Sequence, residues 1–295
     1  MIRTSIVRSI GATVGAAALV LVSAVSASAG SMSMHMASLN AKDAALVPAA
    51  LKNVTWQVAT DATYAPDESM KGNTMVGFDV DLMKAVATTL GVKIVENNVT
   101  FDNIIVGVQS KKYQVGNSSF TDTKAREKQV NFVDYFKAGE GVYAKATSTA
   151  AFTSVQSFCG TSVAVETGTV EQNDAGAIKC TNGKKVTVDS YPTQTEANTA
   201  VASGHDAFGF ADSQIAGYIA SQSKGLFKYV GKPVAVAPYG IAVAKTADGL
   251  ALAKAIQAAM KTLVANGTYN SILSSYGVTS GALTASQMVL NGATS

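Results

Sequence analysis

From Val54 onward the apolar positions switch repeatedly between the two spacings that separate strands from helices. Trp56 to Thr60 is a short apolar run that reads as a strand. Leu82, Met83, Val86 and Leu90 then recur at helical spacing until Gly91, a residue that readily ends a helix. Asp79 is expected to cap that helix at its start. Val92 to Val95 is the next strand, Asp102 opens a helix through Ile104, Ile105 and Val108, and Val115 to Asn117 is a short strand. Strands separated by helices predict a mostly parallel sheet covered on both faces, with ligand sites at the carboxyl ends of the strands.

The alternation restarts after about residue 145. Ser162 to Val165 reads as a strand, Gly168-Thr169 opens a helix, Lys185 to Val188 is a strand, and Thr193-Gln194-Thr195-Glu196 is a capping box before Ala200 and Val201. Ala207 to Ala211 is a further strand, and Asp212 starts a helix carrying Ile215 and Ile219. A strand-like run from Tyr239 to Ala244 precedes two helices, lined by Leu252, Ile256, Met260 and Leu263 and by Tyr269, Ile272, Leu273 and Tyr276. These last helices need a core to cover, and the first unit supplies one. The expected architecture is therefore α/β with two lobes: residues 54–143 and 239–277 form lobe 1, 144–238 form lobe 2, and 278–295 form a C-terminal tail. The chain would cross between lobes near Val142 to Ala146 and near Val234 to Pro238, which makes a two-strand hinge.

The first 29 residues follow a different pattern. Arg3 and Arg8 precede an apolar run from Ile10 to Val25 and the small residues Ala27-Ser28-Ala29, the layout of a secretory signal peptide cleaved after Ala29. The run is rich in Ala, Gly and Ser and falls short of the ~20 strongly apolar residues of a bilayer-spanning helix. Residues 30–53, which include His35 among Met and Ser, read as a flexible spacer. An exported address, periplasmic in its simplest form, suits the two cysteines. Cys159 and Cys180 are expected to be joined, and closing such a loop contributes about 3 kcal/mol in the chain-entropy estimate. With no His between them, they cannot complete a tetrahedral zinc shell.

Composition excludes other classes. With 47% hydrophobic and 15% charged residues in 295, the chain can bury a large core, and its net charge of +3 is too small and too dispersed for a nucleic-acid surface. No nucleotide loop, nucleophile-base pair or metal cluster stands out, so no cofactor or metal is expected.

Several segments, taken in order, resemble the family 3 solute-binding proteins, the polar amino-acid receptors of ABC importers. In lobe 1 they are Ala59-Thr60-Asp61-Ala62-Thr63-Tyr64-Ala65-Pro66, Gly77-Phe78-Asp79-Val80-Asp81-Leu82, Thr121-Asp122-Thr123-Lys124-Ala125-Arg126 and Val130-Asn131-Phe132-Val133-Asp134-Tyr135. In lobe 2 they are Val163 to Thr169 and Asp206 to Asp212, and Gly267-Thr268-Tyr269 and Ser275-Tyr276-Gly277 match the terminal helices. The resemblance implies the type II periplasmic-binding-protein fold, a ligand in the interlobe cleft, a monomer, and a membrane permease as partner.

A free amino acid carries a carboxylate and an ammonium, so its receptor needs a fixed cation, a fixed anion and hydrogen-bond partners. By the resemblance, Arg126 holds the carboxylate with its planar fork and Asp212 receives the ammonium. Ser118, Ser119 and Thr121 supply hydroxyl and backbone groups. Thr169 and Val170 offer N–H donors at a helix start. Tyr64 and Phe101 are the aromatic walls, and Asp61 reaches the distal end of the substrate. Glu166 stands where a neutral residue is usual. If it faces the cleft beside Asp61, the pair favours a cationic side chain such as that of arginine or lysine; if it points to solvent, a polar neutral amino acid such as glutamine fits equally. The chain also departs from the family at Asp67-Glu68, where an aromatic is common after the proline, and at Lys111-Lys112-Tyr113-Gln114, which lacks the usual turn Asp. Two other roles share this fold: a cyclohexadienyl dehydratase-like enzyme, with Glu166 as proton donor or acceptor, and a ligand sensor for a signalling receptor.

Overall fold

The structure, a computed structural model, describes residues 37–181 and 183–293. The expected signal peptide and the start of the spacer lie outside these residues. The chain runs through α1 (Ala41–Ala45), β1 (Thr55–Thr60), β2 (Thr63–Tyr64), β3 (Glu68–Lys71), β4 (Thr74–Val76), α2 (Phe78–Leu90), β5 (Lys93–Asn98), α3 (Asp102–Gln109), β6 (Val115–Gly116), α4 (Lys124–Glu127) and β7 (Val130–Lys145). It continues through β8 (Ser162–Glu166), α5 (Val170–Ala177), β9 (Thr187–Tyr191), α6 (Gln194–Ser203), β10 (Phe208–Asp212), α7 (Ser213–Gln222), β11 (Phe227–Ala244), α8 (Ala247–Ala265) and α9 (Thr268–Ser275).

One sheet joins both lobes, in the order β5-β1-β6-β11-β7-β10-β8-β9, while β2, β3 and β4 form a small antiparallel sheet of their own. β1 runs parallel to β5 and β6 in the first lobe, and β8 runs parallel to β9 and β10 in the second. The long antiparallel pair β7 and β11 serves both. β7 already pairs with β10 at Glu140 and Gly141, so the first crossing lies ahead of the expected Val142 to Ala146, and Tyr143 belongs to the second lobe. The second crossing does fall near Val234, where the β7/β11 register breaks between Val230 and Ala237. Gly139 sits at this crossing because a Cβ there would lie 2.7 Å from the Val234 carbonyl oxygen.

The main core of the first lobe packs α2, α8 and α9 against the sheet through fully buried Trp56, Phe78, Met83, Val86, Ile256, Met260, Leu263 and Tyr269. A separate core in the second lobe gathers Phe158, Val163, Val165, Phe208 and Phe210. There Cys159 and Cys180 form a disulfide.

Three expectations are corrected. Residues 37–53 are not a loose spacer: Asn40 caps α1, buried Asp43 accepts the Thr262 hydroxyl at 2.6 Å, Val47 enters the core, and the Trp56 indole donates to the Leu51 carbonyl. The segment after 277 is not a tail either, because Ala282 and Leu290 bridge to Phe136 and Val133 and Met288 is fully buried. Finally, Asp79 is not the helix cap. Gly77 holds that position with φ 144°, where a Cβ would lie 2.0 Å from the Asp67 carbonyl oxygen. Asp79 is the second residue of the helix, buried, and accepts hydrogen bonds from the Tyr135 hydroxyl at 2.6 Å and the Ser119 N–H at 3.0 Å.

Candidate functional site

The carboxyl ends of β1, β6, β8 and β10 converge on the cleft between lobes, as parallel strand topology requires. Eight of the residues expected at the site line it together: Tyr64, Phe101, Ser119, Thr121, Arg126, Thr169, Val170 and Asp212. The lobes are closed upon each other, and the space enclosed is about 10 Å³.

Arg126 lies on the short helix α4, which is capped by Thr123. Its guanidinium donates to the Thr121 carbonyl at 2.8 Å and, across the cleft, to the Gly168 carbonyl at 3.0 Å. The rings of Phe101 and Phe120 lie 5.3 Å from the guanidinium carbon, and the two rings stack at 4.3 Å. Burial lowers the Arg126 pKa, opposed by Glu171 and Asp212, yet a guanidinium keeps its charge. Burial, and then Glu171, push the Asp212 carboxyl well above its ordinary value. One pole of the cleft thus holds a cation, Arg126, with two acids, Asp212 and Glu171.

Asp61 and Glu166 are not among the residues that line this space; they approach each other from opposite lobes behind Tyr64 and form a second pole. Asp61 is 1% exposed and accepts from the Thr63 N–H, the Thr63 hydroxyl and the Phe101 N–H, so it ties down the turn after β1. Glu166, also 1% exposed, has no hydrogen-bond partner on either oxygen among the described residues. Burial, then the charge of Asp61, raise its pKa to about 10. Tyr64 stands beside both poles, interacting with Glu166 and Asp61 as well as with Arg126. Its hydroxyl is buried without a partner among the described residues.

Ser118 does not line the cleft. Its hydroxyl donates to Glu68 at 2.8 Å and accepts the Asp61 N–H at 2.9 Å, which makes it a brace under the second pole. Ser119 faces the cleft but its hydroxyl donates back to Asp67 at 2.9 Å, and its backbone is held in the left-handed region at φ 50°. Such a conformation costs of order 1 kcal/mol for a side-chain-bearing residue and is sustained here by the surrounding carboxylates. Thr169 caps α5 and donates to the Glu166 carbonyl at 2.8 Å, so it locks the strand end that carries Glu166.

Cleft residues that sequence reasoning missed are Glu171, Gln194, Phe210, Ala211 and Ile215. Gln194 is the first residue of α6 and bonds Tyr143 and Asn198. Its signal was present: it follows the capping Thr193 at the carboxyl end of β9, where parallel sheets place ligands.

The sequence model of the bacterial extracellular solute-binding proteins, family 3, matches residues 56–279. The chain belongs to that family. It is 31% identical over 214 residues to the arginine-binding protein ArgT of Corynebacterium glutamicum, covering 71% of this chain and 69% of that protein. Two solved structures of an ancestral arginine-binding protein, one bound to arginine and one to glutamine, each superpose with a TM-score of 0.69 at 32% identity, over 75% and 76% of this chain and 97% and 98% of theirs. An ancestral amino acid-binding protein described as a precursor of cyclohexadienyl dehydratase superposes with a TM-score of 0.67 at 29% identity, over 75% of this chain and 95% of that one.

Proposed function

We propose that this family 3 protein captures a free basic amino acid, arginine in the first place, outside the cytoplasmic membrane and delivers it to the permease of an ABC importer. The observation that carries the substrate class is the second pole. Two buried carboxyls from opposite lobes meet there, where burial and then the charge of Asp61 raise Glu166 to about 10 and neither of its oxygens is bonded among the described residues. A guanidinium would supply a cation and donors for both unpartnered oxygens. A neutral amide would leave one acid protonated. The relatives' names, arginine-binding in both the curated protein and the solved structures, support the same choice.

Binding begins in an open form. Arg126 must then exchange its Gly168 carbonyl for a ligand carboxylate, and Asp212 and Glu171 face the ammonium. Closure is favoured by contacts that only the closed form makes: Thr169 and Val170 N–H groups on one side, and a cationic ligand side chain held between Glu166 and Asp61 on the other. Export through cleavage after Ala29 and action as a monomer belong to the same proposal.

A thermal-shift screen of the free amino acids tests this reading. The largest stabilisation is expected with arginine, a smaller one with lysine, and little with glutamate. A screen led by glutamate would overturn it. The enzyme alternative has one observation in its favour, a glutamic acid that keeps its proton near neutrality, as a general acid must. The pairing of Arg126 with two acids at the other pole favours binding of an intact amino acid, and turnover of prephenate or arogenate would reverse that judgement.

A further inference from the structure

Three ligating side chains converge on the outer edge of the second lobe, away from the cleft. Asp189 lies on the edge strand β9, and His205 and Asp206 are consecutive residues in the turn between α6 and β10. One ligand atom from each lies within 4.8 Å of the other two. Asp206 is 2% exposed, and its Oδ2 accepts the Tyr191 hydroxyl at 2.7 Å. Its Oδ1 is buried with no hydrogen-bond partner among the described residues.

A buried carboxylate oxygen without a donor is costly, and a cation removes that cost. The adjacent imidazole selects which cation. Calcium and magnesium prefer shells made wholly of oxygen, whereas one imidazole with two carboxylates suits zinc and its neighbours, with solvent completing the coordination. Tyr191 occupies the role of an outer partner, donating to one oxygen of the Asp206 carboxylate and so fixing its orientation. We propose that Asp189, His205 and Asp206 bind one divalent cation of the zinc class, which ties the edge strand β9 to the turn before β10.

The experiment is a calorimetric titration of the metal-stripped full chain with ZnCl2, with Tm followed in parallel and MgCl2 as comparison. Zinc is expected to bind and raise Tm, and magnesium to do neither. His205→Ala and Asp189→Asn should each lose one equivalent of zinc, and Tyr191→Phe should bind it about tenfold more weakly. All three should keep the parent affinity for the amino acid, which shows that they are folded and separates this test from that of the cleft. Unchanged zinc stoichiometry in both ligand variants, absence of zinc binding by the parent chain, or saturation by magnesium with equal strength would each overturn the proposal.

Discussion

Two groups of buried acids sit within this molecule, and they differ in how their oxygens are used. Asp67, Glu68 and Asp79 in the first lobe are all fully buried, and each is bonded within the protein: Ser118 and Ser119 donate to Glu68, Ser119 and Gln214 to Asp67, and Tyr135 to Asp79. Across the cleft, Glu166 has neither oxygen bonded and Glu171 has Oε1 free of any partner among the described residues. Both groups suffer the same desolvation, which raises every one of these carboxyls. The difference is that every acid of the first group is held by donors from within the protein, with Asp67 Oδ1 and Asp79 Oδ1 left unpartnered among the described residues, and removing a donor from it damages the fold. The second group is unfinished and gains by a cationic ligand.

Removing the cation of the first pole should have the largest effect. Arg126→Ala is expected to weaken arginine binding about 100-fold or more, the range found when one partner of a buried, hydrogen-bonded charge pair is truncated. Calorimetry measures it, and retention of near-parent affinity would remove Arg126 from the site. Next comes Glu166→Gln, expected to weaken arginine by about tenfold while leaving glutamine nearly unchanged. An equal loss for both ligands would place Glu166 with the acids that hold the fold rather than with those that select the ligand.

Ser118→Ala should show the opposite pattern. It removes a donor to Glu68 and an acceptor for the Asp61 N–H, and a loss of stability of about 1–3 kcal/mol is expected with little loss of selectivity, as read by denaturant unfolding and a ligand panel. Proton exchange gives a subtler distinction. Arginine binding at neutral pH should expel a proton from Glu166, so the calorimetric enthalpy should vary with the ionisation enthalpy of the buffer. A buffer-independent enthalpy would contradict the cationic second pole.

The pH dependence of the ligand-free protein follows from the same carboxyls. Burial chiefly raises Glu171 and Glu96 to about 7 and Asp134 to about 8, from ordinary values of 4.5, 4.5 and 3.8. An acid with a raised folded pKa keeps its proton in the native state after the unfolded chain has lost it. Its stability is whole below the unfolded pKa and declines as pH climbs from there to the folded value. The Tm of the ligand-free protein should therefore fall between about pH 5 and pH 8, and the fall should be shallower with saturating arginine. A Tm that rises over this range would show that these groups are ionised in the folded state.

Much of the fold was legible because it rests on long periodic elements. The stripe through Leu82, Met83, Val86 and Leu90 is α2, and the capping box at Thr193 opens α6. What escaped has short elements or an unhelpful composition. β2, β3 and β4 are two to four residues each, too short to show alternation, and α1 is hidden in a segment whose only buried apolar anchor is Val47. Arg126 and Asp212, which line the cleft, were singled out through motif resemblance. Ser118 could not be told from Ser119 by type; the distinction depends on Glu68, 50 positions away, turning one hydroxyl inward. Asp67 and Glu68 read only as departures from the family pattern after the proline, because sequence cannot show that Gly77 lets the backbone fold down over Asp67.

The construction of the first lobe has a consequence in time. The second lobe is one unbroken stretch, whereas the first borrows β11, α8, α9 and the final segment from beyond it. Asn40 and Asp43 meet Thr262 across separations of 222 and 219 residues, and Leu290 closes against Val133. Non-local closures of this kind are slow, and contiguous units finish sooner. The lobe that carries Arg126 begins first along the chain and is completed last, so Arg126 meets its cleft only after the later half, with Asp212 and Glu166, is already standing.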